Sequence, residues 1–341
     1  MILIVGGLGY IGSNLVFELS KTIKDIRIID NLSNSKMDIY HNLLKDNPNL
    51  RIDVIDATDY HKLLEIFNWN FIETIINVAH TKLNQQTSDH ILNNYTNDIM
   101  IHFNLLKLCK LFNIKHYIYS SSVYIYDTHL IDKNYFIDEG HPIKITNIDP
   151  YLKIKIVSEE ILKDISDHSC TKFLCLRHSE PLEFDHSLKD NYFKNTIIHK
   201  LFDSLLTNKI LLPNEILSTN NDINIVINYI HIKDLIDAYI LSLNYIKTMT
   251  LNIDIFNISV DNINTENIST ENIYNITELI KIFNKTILEK IEIKKMEDIK
   301  KIPIICIDNT KAKNILKWKP FYTLEKIIQD YYQFYLNQIL K

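Results

Sequence analysis

Immediately after Met1 the chain reads Ile2-Leu3-Ile4-Val5-Gly6-Gly7-Leu8-Gly9-Tyr10-Ile11-Gly12-Ser13, a short apolar run feeding a glycine-rich turn. The four apolar residues suit a buried strand, and the Gly6-x-x-Gly9-x-x-Gly12 spacing suits the turn into a helix. A tight turn, close approach of backbone to a pyrophosphate, and close helix packing each require a residue without a Cβ. Amides at the start of the helix then face the phosphates. The triplet alone is a weak signal, but the 341-residue chain has only five glycines, and four of them fall within positions 6–12. A dinucleotide cradle is therefore expected at Gly6, Gly9 and Gly12.

Outward from this turn, strand-like runs recur at Ile26 to Asp30, Arg51 to Asp56, Thr74 to Val78, His116 to Ser120 and Phe173 to Arg177. Between them lie segments with apolar spacing of three and four, such as Ile91 to Phe112 and Tyr151 to Ile165. Repeated β-α units imply a parallel sheet with right-handed crossovers and helices on both faces. The expected fold is α/β, a doubly wound parallel sheet (Rossmann) with a smaller C-terminal substrate-binding lobe. A chain of this length accommodates two lobes at about 150 residues per domain. The expected division is 1–178 for the dinucleotide-binding domain, with a returning segment at about 222–245, and 179–341 for the second lobe. Helices are expected near Asn195 to Leu206, Lys233 to Leu243 and Leu324 to Leu340. The Asn-rich run from Asn262 to Thr277, with Thr-Glu-Asn-Ile occurring twice, reads as a surface insertion at about 260–277.

The second expected strand ends at Asp30, 18 residues beyond Gly12. An acidic side chain there accepts hydrogen bonds from ribose 2′- and 3′-hydroxyls and repels a 2′-phosphate, which favours NAD over NADP.

Composition narrows the class. The formal net charge is −5, with acidic and basic residues intermixed, so no basic field is present to hold nucleic acid. Cys109, Cys170, Cys175 and Cys306 form no CxxC pair, and two of them sit inside apolar runs, as reduced buried thiols do. No charged leader precedes Ile2, and no apolar stretch approaches the roughly 18 residues of a membrane span. A cytoplasmic protein without membrane association is expected, and no metal site is evident.

The catalytic candidates lie further along. Ser120-Ser121-Ser122 closes the fifth strand-like run, and Tyr151-x-x-x-Lys155 lies on the next helix. A four-residue spacing puts phenol and ammonium on one helix face. A cation beside a phenol favours phenolate and brings it toward the range in which it exchanges a proton with a substrate hydroxyl. Ser122 would hydrogen-bond the same hydroxyl and fix its position. A tyrosine and a lysine four apart are usually a solvated helix face; the glycine turn reverses that balance.

With GGLGYIGS (6–13), IIDNLSNS (28–35), the serines 120–122, YLKIK (151–155), NYIHIKDLIDA (228–238) and ILKWKPFYTLEKII (315–328), the chain resembles the extended short-chain dehydrogenase/reductases. Within them it is most similar to the UDP-glucose 4-epimerases of the NAD-dependent epimerase/dehydratase family. The resemblance spans nearly the whole chain. It implies that Gly6, Gly9, Tyr10, Ile11, Asp30 and Asn31 hold NAD, that Asp56 and Ala57 sit by the adenine, and that Val78, Ala79, Lys82 and Asn97 line the path toward the nicotinamide. It makes Ser122, Tyr151 and Lys155 the catalytic trio, implies a substrate contact at Asn195, and suggests a homodimer through two helices packed as a four-helix bundle. In such enzymes hydride passes to NAD while the tyrosine removes the 4-hydroxyl proton. The 4-keto sugar then turns over before hydride returns.

The chain departs from that pattern in places. Val123 and Tyr124 follow Ser122 where sugar dehydratases and decarboxylases carry acidic residues, which disfavours dehydration. Glu180 stands where the family usually has an Asn for the substrate, and Ile227 where it has an Arg for the diphosphate. A second family Arg is not evident near Ile304; Lys294, Lys295, Lys300 and Lys301 could substitute as point charges. Asn195 has an equally good explanation as a helix cap, and His231 and Asp234 read as a packed ring and a helix cap. His80 stands where the family has a small residue, beside the expected nicotinamide, and is assigned no catalytic role. Three functions stay open: a nucleotide-sugar 4-epimerase with tightly held NAD, a nucleotide-4-keto-sugar reductase using NAD(P)H from solution, and an NAD-binding protein with a decayed sugar site.

Overall fold

The structure is a computed structural model and describes residues 1–81, 88–127, 135–146, 148–182, 201–202, 204, 229–259, 276–287 and 305–339. Elements are numbered among these residues. Strand β1 (Ile2–Val5) leads through the glycine turn into α1 (Tyr10–Ser20). There follow β2 (Ile26–Asp30), α2 (Met37–Asp46), β3 (Arg51–Val54), α3 (Tyr60–Asn68), β4 (Thr74–Asn77), α4 (Ser88–Phe112) and β5 (His116–Ser122). Beyond lie β6 (Tyr135–Ile137), α5 (Pro150–Ser166), β7 (Lys172–His178), β8 (Glu180–Leu182), β9 (Tyr229–His231), α6 (Ile232–Thr248) and β10 (Ile253–Ile258). The last elements are α7 (Ile276–Ile287), β11 (Ile305–Ile307) and α8 (Leu324–Ile339).

Seven strands form one parallel sheet in the order β3-β2-β1-β4-β5-β7-β10, the doubly wound arrangement expected. The strand order reverses direction between β1 and β4, so a crevice opens at their carboxyl ends. Alternation along each strand divides the core. Ile2 and Ile4 of β1, Ile28 of β2, Ile118 of β5 and Leu174 and Leu176 of β7 pack with α1, α2, α6 and α8. Leu3, Val5, Ile29, Tyr117, Tyr119, Phe173 and Cys175 pack on the other face with α3, α4 and α5. Successive side chains of a strand point to opposite faces, so near-continuous apolar runs are what a sheet covered on both sides requires.

The structure differs from the expected elements in specific ways. Strand β5 ends with the three serines, Ser122 pairing with His178 of β7. Strand β3 ends at Val54. The outer strand β10 has no counterpart in the sequence reading; it pairs in parallel with β7, from Ile253 opposite Phe173 to Ile258 opposite His178. Of the helix expected at Asn195 to Leu206, only Leu201, Phe202 and Ser204 are described, and they are helical. The Asn-rich run lies outside the described residues except for Ile276 and Thr277, which begin α7.

The stretch after β9 ties the chain's end to the sheet. The imidazole of His231 caps α6 by accepting the Lys233 amide at 3.2 Å, and its ring stacks on Tyr322 at 3.7 Å. Asp234 accepts the amides of Phe321 and Tyr322 at 2.9 and 3.0 Å, and its carbonyl accepts the Trp318 indole N–H at 2.8 Å. The expected packed ring is therefore also the cap, and the expected cap is a clamp on residues far along the chain.

Candidate active site

The glycine turn sits at the crevice because its backbone has no room for side chains. Gly6 adopts φ +79°, and a Cβ there would lie 2.7 Å from the Ala79 Cα. A Cβ on Gly12 would run into the Gly6 carbonyl and the Gly7 backbone. Gly9 is the N-cap of α1, makes no side-chain cap, and is followed by no acidic residue in the first turn. The positive end of α1 therefore carries no acidic side chain of its own and suits an external anion.

At the end of β2, Asp30 is buried and its carboxylate organises the neighbouring loops. Oδ2 accepts the Leu8 amide at 2.9 Å, while Oδ1 accepts the Leu32 amide at 2.9 Å and the Ser35 hydroxyl at 2.7 Å. A carboxylate offers about four acceptor sites, so Oδ2 keeps one for a ribose hydroxyl. Asn31, beside it, donates to Asp56 Oδ2 at 3.1 Å. The sites that a nicotinamide dinucleotide needs, an anion cradle and an anionic ribose acceptor, are both present and suitably uncrowded.

Serine, tyrosine and lysine converge from two elements. Asp149 caps α5 by accepting the Tyr151 amide at 2.9 Å, and Pro150 occupies the first turn, where its missing N–H costs nothing. This start puts Tyr151 in the first turn and Lys155 one turn on. Lys155 is 3% exposed and donates to the Ser120 carbonyl at 2.8 Å, with its ammonium 5.3 Å from the centre of the Tyr151 ring. Burial lowers its pKa to about 8, against the pull of Asp98 and Glu159. It is cationic at neutral pH and loses its charge as pH rises through that value. Ser122 Oγ accepts the Tyr124 amide at 3.2 Å, so its own proton is available to a ligand oxygen.

A cavity of about 600 Å³ brings these groups together. Gly6, Gly9, Tyr10, Ile11, Gly12, Asp30, Asn31, Ala57, Val78, Ala79, Ser122, Tyr151 and Lys155 all line it. Asp56 and Asn97 are not on its wall; Asp56 stands behind it, between the wall residues Ile55 and Ala57, and accepts a hydrogen bond from Asn31. Lys82, Asn195, Ile227 and the four lysines at 294, 295, 300 and 301 lie outside the described residues.

Three wall groups carry chemistry that sequence reasoning did not use. His178 donates from Nδ1 to the Ser179 carbonyl at 2.8 Å and accepts the Ser120 hydroxyl at Nε2, 2.9 Å, and burial lowers it to about 4, so it is a neutral strut. Burial pushes the Glu180 carboxyl up to about 7. It is largely uncharged below that pH, and repulsion of a diphosphate grows only as pH rises through it. His80 lies against Tyr151, ring centroids 4.3 Å apart, and pairs with Asp98 of α4. The sequence signal for this pair was the bulky His80 in a position where the resemblance implied a small residue.

A glycine cradle at the switch point of a doubly wound sheet, with a tyrosine and a lysine one helical turn apart lining the same cavity, is an arrangement suited to a nicotinamide dinucleotide. Residues 2–259 match the model of the NAD dependent epimerase/dehydratase family, and the chain belongs to that family. It is 28% identical over 253 residues to the bifunctional protein GAL10 of Pachysolen tannophilus, covering 72% of this chain and 36% of that protein. It is 25% identical over 338 residues to a UDP-glucose 4-epimerase of Bacillus subtilis, covering 96% and 95%. The chain spans between about a quarter and about half of the length of several curated relatives it matches. Its fold is like that of a UDP-glucose 4-epimerase from Bifidobacterium longum solved with NAD+ and UDP, with TM-score 0.76 and 22% identity over 99% of this chain and 98% of that one.

Proposed function

We propose that the protein is an NAD-dependent 4-epimerase of a nucleotide sugar of the UDP-glucose/UDP-galactose kind, working through a transient 4-keto sugar. The observation that carries this is the meeting of the glycine cradle, Asp30, Ser122, Tyr151 and Lys155 on the wall of one cavity. Gly6, Gly9, Tyr10, Ile11, Gly12, Asp30 and Asn31 would hold NAD, with Ala57, Val78 and Ala79 beyond them; bound there, NAD supplies acceptance and return of hydride at the sugar carbon. The name of the Bacillus subtilis relative supports the epimerase reading.

The chain's own groups manage the proton. Tyr151, its deprotonated form favoured by the nearby Lys155 ammonium, takes the proton of the reacting hydroxyl and later gives it back. Ser122 donates to the same oxygen and holds it in place. Neither group is consumed, so each cycle ends as it began. A homodimer is part of the proposal. Leu92, Met100, Phe103 and Leu111 of α4 are exposed large apolar residues within about 100° of one another around the helix, and Val157 of the adjoining α5 is exposed too.

The test is a panel of UDP-, dTDP- and GDP-sugars incubated with the protein and analysed for new stereoisomers. Conversion of one without net change of NAD is expected, and Tyr151→Phe should keep NAD bound while turnover falls by about 100-fold or more. Unchanged turnover in that variant would reject the mechanism. Stoichiometric consumption of NADH would replace epimerisation with reduction.

A further inference from the structure

The wall of the cavity carries an imidazole–carboxylate pair outside the serine, tyrosine and lysine set. His80 follows the carboxyl end of β4, and its Nδ1 lies 3.1 Å from Asp98 Oδ2. Asp98 Oδ1 accepts the Thr81 amide at 2.9 Å and the Thr81 hydroxyl at 2.6 Å. The Asp98 carboxylate is buried, and these hydrogen bonds together with His80 keep it ionised. A carboxylate only accepts, so Nδ1 must carry the proton, and the other ring nitrogen is left with a lone pair. No hydrogen bond of Nε2 is made among the described residues, and the ring lines the cavity against Tyr151. Asn34, from the loop after β2, donates to the His80 carbonyl at 3.3 Å and ties the backbone to the cofactor side.

We propose that Asp98 holds His80 in the tautomer whose Nε2 accepts a hydrogen bond from a hydroxyl of the bound ligand, beside the hydroxyl on which Tyr151 acts. A neutral acceptor at this place selects a ligand that presents a donor there, since a buried acceptor left without one costs binding free energy. Two hydroxyl-bearing groups would reach this wall, the ribose of a bound dinucleotide and the sugar of a bound substrate. The sugar side of the inference rests on the epimerase proposal; the ribose side does not.

The charges around the ring come from three directions. Asp98 of α4 and Asp149 at the cap of α5 favour its protonation, while burial and Lys155 of α5 oppose it, and burial outweighs the rest. The imidazole is therefore neutral at pH 7, and the acceptor is present. Protonation as pH falls turns Nε2 into a donor and abolishes the contact.

The experiment measures the NAD dissociation constant by calorimetry and the UDP-glucose KM separately, for wild type, His80→Asn and His80→Gln. Asparagine reaches only the Nδ1 position, whereas glutamine places an amide near Nε2. His80→Asn should raise one of the two constants about tenfold, the equivalent of one hydrogen bond, and His80→Gln should recover most of that loss. The constant that moves identifies the donor. In wild type that same constant should rise as pH falls below the ordinary imidazole range, and in His80→Gln it should not. Both constants unmoved in His80→Asn, or glutamine no better than asparagine, would overturn the inference. A wild-type protein that binds NAD but converts no sugar would sink the epimerase proposal alone, and the NAD constants would still decide whether His80 meets the ribose.

Discussion

Single atoms decide much of this site. Asp30 accepts from Leu8, Leu32 and Ser35 at once, so the carboxylate proposed to meet the ribose also holds the glycine turn to the loop after β2. Asp30→Ala should therefore weaken NAD by roughly 10- to 100-fold, counting a charged hydrogen bond to ligand and a looser cradle. It should also narrow the preference for NAD over NADP, because the charge that repels a 2′-phosphate is gone. Titration with both dinucleotides measures the two effects, and identical constants would remove Asp30 from the site. Residues of this kind were legible because their constraint is local. A glycine is needed wherever a Cβ would strike the backbone of its own turn, as at Gly12. His80 and Asp98 were not legible as a pair, since a bond across 18 residues leaves no periodic trace.

Between elements, one buried network holds α5 to the sheet. Arg177 of β7 is 1% exposed and donates to Glu159 of α5 through Nε at 3.0 Å and Nη2 at 2.6 Å, and to the Tyr126 hydroxyl at 2.8 Å. Ser121 of β5 donates to the same carboxylate at 2.5 Å, and Tyr126 donates to Asn257 of β10 at 2.6 Å. Glu159 lies one turn beyond Lys155, so this network sets the depth at which the lysine meets the Ser120 carbonyl. Arg177→Met leaves Glu159 buried and unpaired and should cost about 3–5 kcal/mol of stability, read from urea unfolding. Adding Glu159→Leu should recover most of the loss; a single variant as stable as wild type would show the network to be idle. Strand β10 shows why an element can hide. Its Asp254 and Asn257 break the apolar pattern, and only the folded chain supplies Tyr245 and Lys311 for the one and Tyr126 and the Ile137 carbonyl for the other.

For the whole molecule, the proposal to test is the dimer. The exposed apolar stripe of α4, with Leu92 63% and Leu111 57% exposed, lies on a helix that packs beside α5. A second copy of the chain would cover it. Phe103→Glu combined with Met100→Glu should convert a dimer into a monomer in sedimentation, with NAD binding retained, since neither residue lines the cavity. A wild-type protein that sediments as a monomer would dispose of the dimer.

The order β-α-β, the glycine cradle, Asp30 and the succession of serine, tyrosine and lysine could all be deduced from the one-dimensional chain. Each depends on contacts within a turn or on a repeat of two or 3.6 residues. The convergence of these groups on one crevice was an inference that the sheet order made concrete. Tertiary structure alone decided that β10 completes the sheet beside β7, that Asp234 grips residues 321 and 322, and that Asp98 orients His80 toward Tyr151. Those contacts join segments whose spacing along the chain carries no periodicity, so only the packing of the whole could select them.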